Sequence, residues 1–103
     1  MSAVNSPYRF AYESVAASQT AQVLGGTGAV GDYLHRLIIS NVTVANASVT
    51  ILDGATSIVI QTGGATLVAG VQVVECNMIS ASGAWKVTTG SGVTVIGVGI
   101  FSA

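Results

Sequence analysis

Few side chains in this 103-residue chain are of types that could do chemistry, and each can be judged by its spacing. Gly26, Gly28 and Gly31 follow an apolar stretch in Gly-x-Gly-x-x-Gly order, the letters of a dinucleotide-binding loop. That chemistry requires a strand, then the glycines, then a helix whose N-terminus holds a pyrophosphate. The residues that follow, DYLHRLII at 32–39, leave room for one or two helical turns. Residues 40–51 are rich in Val, Thr, Ser and Asn, and the later strand patterns lie too close together for βαβ units. The glycines are therefore read as a loop between strands, and no cofactor is expected.

His35 is the sole histidine and stands three residues after Asp32, so the two could be drawn as half of an acid/base pair. A triad would need a nucleophile from elsewhere, and no Gly-x-Ser-x-Gly elbow is present. His35 beside Arg36 reads instead as a polar strand residue. Cys76 has no second cysteine and no histidine near it in sequence, which leaves metal ligation unsupported. It alternates with Val74 and Met78, as a buried inert thiol would. The four acids are Glu13, Asp32, Asp53 and Glu75, and nothing singles out a pair set for glycoside hydrolysis. No catalytic residue and no metal site is expected, and the chain is not read as an enzyme.

Aromatic residues remain. Tyr8, Phe10 and Tyr12 share one face of an alternating segment, and Trp85 stands beside Lys86. Such residues can line a sugar platform, but they more often anchor a core or an interface. Tyr8, Phe10, Tyr12 and Trp85 are the candidate interface residues, and Trp85 is the first to test.

Composition points the same way. Half the chain is hydrophobic, whereas Asp, Glu, Lys and Arg make up only 7%, against roughly 25% in an ordinary soluble domain. The formal net charge is −1, so the polar surface must come from Ser, Thr, Asn and Gln, which do not repel a neighbour. A surface of this kind suits a subunit of an assembly. Arg9, Arg36 and Lys86 are too few and too scattered to track phosphates, so nucleic acid is excluded as a partner. No polybasic run, membrane-length apolar segment or secretory leader pattern occurs, so neither membrane attachment nor export is expected. A lone cysteine fits synthesis in a reducing cytoplasm.

The elements that must position these residues are strands. The chain holds 16 Val, 8 Ile and 10 Thr, which suit a pleated surface, and no stretch shows a clear helical stripe. Strands are predicted over residues 8–14, 21–24, 33–40, 48–52, 56–62, 71–79, 84–89 and 93–101, with 42–44 continuing the third past a kink. Asp53-Gly54 marks a hairpin. The last strand is apolar on both faces, which predicts a central or doubly covered position. Seven or eight short antiparallel strands about ten residues apart predict an all-β, single-domain β-sandwich of jelly-roll type over 8–103, preceded by an N-terminal arm over 1–7.

Two stretches, AASQTAQVLGGTGAVGDYLHRLIISNVTVANASVTILDG and ASGAWKVTTGSGVTVIGVG, resemble small structural proteins of tailed bacteriophages. The likeness is to capsid decoration (cement) or head-fibre proteins and covers the chain from about Ala16 onward. The resemblance implies a virion subunit on the capsid surface, made in the host cytoplasm, with the major capsid protein and sister copies in a dimer or trimer as partners. It assigns no role to any single residue. The alternative expectation is a fibre or tail component, a carbohydrate-binding β-module that meets the host surface through Trp85 and nearby tyrosines.

Overall fold

The computed structural model describes residues 10–64 and 67–102, so the expected arm and Tyr8 lie outside the described residues. The described residues form eight strands: β1 Ala11–Val15, β2 Gln22–Val23, β3 Tyr33–Asn41, β4 Val49–Asp53, β5 Thr56–Gln61, β6 Gly70–Ile79, β7 Trp85–Thr89 and β8 Val93–Ile100. They form two four-stranded sheets, ordered β1-β8-β3-β6 and β2-β7-β4-β5. The pairs β1·β8, β2·β7, β3·β6 and β4·β5 are all antiparallel. The chain is thus one long nested hairpin whose arms switch between sheets at every corner. That is the connectivity of a jelly roll, and the expected fold class is the observed one.

Period-two alternation sends one face of each strand inward. Leu34, Leu37 and Ile39 from β3, Val93 and Val95 from β8, Val49 and Ile51 from β4, and Trp85 and Val87 from β7 meet between the sheets, all at 2% exposure or less. Each such side chain contributes about 1.5–3 kcal/mol on leaving water. Gly97 and Gly99 lie on the inner face of β8, where side chains would collide with Leu24 and with the Tyr33 carbonyl oxygen. Their absent side chains admit Leu24 and Phe101 to that end of the core.

Two polar devices close the ends. Gln61 donates to the Asn41 side-chain oxygen at 2.7 Å and accepts from Gln72, while Asn41 donates to the Val68 carbonyl, so a hydrogen-bond chain with a buried centre ties the β6 edge of one sheet to the β5 edge of the other. At the β4–β5 hairpin, Gly54 takes a φ of +60°, which suits the first position of a two-residue loop. The Asp53 carboxylate just before it accepts backbone N–H bonds from Ala81, Ser82 and Gly83. The Ala81 and Ser82 bonds are the main reason its pKa lies below the usual carboxylate value.

Residues 42–44 do not continue the third strand. The N–H groups of Val42 and Thr43 both donate to the Gly92 carbonyl, and a 3-10 turn, Val44–Asn46, follows. That turn carries the chain across to the second sheet. β8 is central, between β1 and β3, as its composition predicts. Its outer face, however, is left uncovered by the described residues, with Ile100 44% exposed.

Candidate interaction surface

The paired registers of the first sheet fix which side chains share its outer face. Tyr33 lies between Ile79 and Ile100, Arg36 between Glu75 and Val98, Ile38 between Val73 and Ile96, and Ser40 between Val71 and Thr94. β1 adds Phe10 just before its start and Tyr12, which pairs with Val98. The face is therefore largely apolar, crossed by a hydrogen-bonded and charged row around residues 33–36 and by the hydroxyls of Ser40 and Thr94. Tyr12, Val71, Val73 and Ile79 are all more than half exposed. Phe10, Ala11, Tyr12, Ile38, Ile96 and Val98 outline a shallow, open groove of about 290 Å³ along it.

A bulge builds the polar row. Between the Leu34 and Arg36 positions, β3 supplies His35, β6 supplies Cys76 and Asn77, and β8 supplies no residue. The extra residue sends both His35 and Arg36 outward, and Asn77 takes a φ of +51° to complete the distortion. His35 stacks on Phe10 with ring centroids 4.4 Å apart. The Tyr33 hydroxyl donates to Asn77 Oδ1 at 2.8 Å and lies 2.9 Å from His35 Nδ1. Its one proton is thus committed, so His35 donates through Nδ1 and accepts at Nε2 from Arg36, 3.0 Å away. Arg36 also stands 3.4 Å from Glu75 as an ion pair. The row is neutral as a unit, and most of its polar atoms are already paired within it.

The opposite outer face differs. There Lys86 is registered with Leu52 and Val23, Leu52 with Ser57, and Thr50 with Thr88 and Val59. Hydroxyls and the Lys86 ammonium break up its apolar area, so the two faces of the sandwich are chemically unequal.

The structure places the sequence candidates as follows. Phe10 and Tyr12 lie together on the apolar face. Trp85 does not join them: it is 2% exposed, and its indole N–H donates to the Asp32 carbonyl inside the core. Expecting Trp85 at an interface or as a sugar platform is therefore corrected, because β7 turns it inward in register with Asp53. Asp32 and His35 are likewise apart in function. The Asp32 carboxylate accepts from the N–H of Ala29 and from both the N–H and hydroxyl of Ser102. Burial opposes its ionisation, but these bonds prevail and hold its pKa below the ordinary value.

The glycine loop has a structural occupant. The N–H groups of Gly26, Thr27 and Gly28 converge on the Ser102 carbonyl at 3.1–3.3 Å, and the Gly25 N–H donates to Glu13. Donors that would cradle a phosphate in a dinucleotide site here fasten the C-terminal segment. Cys76 is half-buried, and desolvation together with Glu75 raises its thiol pKa. Among the described residues, no three His, Cys, Asp or Glu side chains gather as a metal site would require.

Sequence reasoning missed the contributions of Ile38, Val71, Val73, Ile79, Ile96 and Val98 to one face. The available signal was that β8 and much of β6 are apolar at both alternating sets of positions, more than one core can use. No protein-family model matches the chain, and no curated protein matches it in sequence.

Proposed function

We propose that this protein is a structural subunit of a tailed-bacteriophage virion, a capsid decoration or cement protein that stabilises the head by packing against the major capsid protein and sister copies. The observation that carries this reading is the broad, largely apolar and net-neutral outer face of the β1-β8-β3-β6 sheet, which suits packing against a sister copy or the capsid protein. The jelly roll supports it by giving a flattened body, 49 × 29 × 19 Å, with two broad sheet faces. The fold alone does not imply the role. The capsid as the setting comes from the resemblance of residues 16–54 and 81–99 to phage head proteins.

The mechanism is burial. Each 100 Å² of apolar area removed from water contributes about 2.5 kcal/mol, and a subunit that bridges two lattice neighbours gains further from the second, effectively intramolecular contact. The host-glycan alternative was anchored on Trp85, which lies in the core, and no second observation supports it.

The test is to mix purified protein with undecorated capsids of its phage and sediment the particles. Co-sedimentation at saturable stoichiometry, with a rise in the temperature at which the heads burst, is expected. No binding, or binding without any change in head stability, overturns the proposal.

A further inference from the structure

We infer that the outer face of the β1-β8-β3-β6 sheet is the self-association surface of this protein, occupied by the same face of a second copy about a two-fold axis. The inference deepens the structural-subunit reading and rests on it for its setting. It leaves the capsid to the other surfaces of the dimer.

Charge selects the occupant. Arg36 and Glu75, the charged residues of this face, already neutralise each other. A strongly charged partner would find no counter-charge here, while a second copy meets no repulsion. In an isologous contact, each copy's Arg36 can face the other's Glu75. Part of the desolvation cost is met within the face. Tyr33 donates to Asn77, His35 to Tyr33 and Arg36 to His35, and the Arg36 and Glu75 charges stay paired. In a two-fold contact the partner's Arg36 can supply the hydrogen bonds that the Glu75 carboxylate lacks within one copy.

Area and shape agree. Four strands about 4.8 Å apart and some eight residues long at about 3.3 Å each give a footprint of roughly 500 Å². Side chains standing off the sheet raise the accessible area toward the roughly 800 Å² per partner of a standard interface. Two such faces pack as sheets in a sandwich do, about 10 Å apart with strands inclined by about 30°. The pairing would give β8 a cover on each side, the arrangement its doubly apolar sequence calls for.

The test is sedimentation equilibrium of the purified chain at roughly 50 μM, a concentration at which even micromolar pairs are formed. The wild type is expected at twice the 10.2 kDa chain mass. Val73→Glu, at a position 52% exposed in the single chain, is expected to weaken the dimer roughly 100-fold or more by stranding a carboxylate in an apolar contact. Val59→Glu, at a position 65% exposed on the other sheet, should leave the mass unchanged. Far-ultraviolet dichroism and Trp85 emission establish that both variants are folded. A monomeric wild type, a Val73→Glu dimer, or dissociation by Val59→Glu as well would each overturn the inference. A monomer that binds capsids and loses them with Val73→Glu would overturn self-association while upholding the proposed function, because the face would then belong to the capsid. A dimer disrupted by Val73→Glu that ignores capsids would do the reverse.

Discussion

Replacing Trp85 by alanine tests the assignment of this residue to the core. Its side chain is 2% exposed between the sheets, so truncation removes the full burial of an indole and leaves a cavity beside β4 and the Asp32 backbone. Changes of this kind cost about 3–5 kcal/mol. The lost N–H bond adds little, because the Asp32 carbonyl still accepts from the Ser80 N–H at 2.9 Å. A value of about 4 kcal/mol is therefore expected, a large share of the roughly 5–15 kcal/mol that holds a domain together. For a chain of this length, Tm should fall by about 15–30 °C. Thermal and urea melts followed by dichroism give the magnitude. Because Trp85 is the single tryptophan, wild-type emission should be blue-shifted when folded and move to the red on unfolding. A Tm loss under about 5 °C, or water-exposed emission from the folded wild type, would refute the burial argument.

Other outcomes follow from the polar clamps and the close contacts. Gln61→Leu should cost about 1–3 kcal/mol, since it leaves the buried Asn41 side-chain oxygen and Ala47 carbonyl without their donor, and a urea midpoint would register the loss. Gly99→Ala should destabilise by about 1–3 kcal/mol, because its Cβ meets the Tyr33 carbonyl oxygen and the Phe101 ring; an unchanged Tm would contradict that packing. Asp32 and Asp53 both have folded pKa values held below the ordinary carboxylate value. Each therefore contributes stability above about pH 4 that is lost as pH falls through its folded pKa. Tm should drop between about pH 5 and pH 2, and Asp53→Asn should flatten that drop relative to the wild type.

Much of the architecture is local and was legible. Val, Ile and Thr in period-two alternation, with turn residues at Asp53-Gly54, Gly63-Gly64 and Gly90-Ser91-Gly92, announce strands and reversals because pleat and turn depend on a few adjacent residues. The same is true of what the chain lacks. Only seven residues are charged, three of them basic, and that scarcity holds whatever the fold. Spacing alone also disposed of the glycine fingerprint, because residues 40–51 are unsuited to a crossover helix.

The assignment of faces was not legible. β8 is apolar at both alternating sets of positions, and only its place between β1 and β3 decides that Val93 and Val95 point into the core while Ile96, Val98 and Ile100 face out. Trp85 reads equally well as anchor or core until β7 is registered against β4. The stacked bulge that turns both His35 and Arg36 outward needs three strands distant in sequence to be side by side. The donors of Gly26, Thr27 and Gly28 find their acceptor at Ser102, at the far end of the chain. Alternation and charge count can be read along the chain, so the sequence determined the strands and the scarcity of charge. Burial and hydrogen-bond partnership are properties of neighbours in space, so only the tertiary structure decided which apolar face was left open.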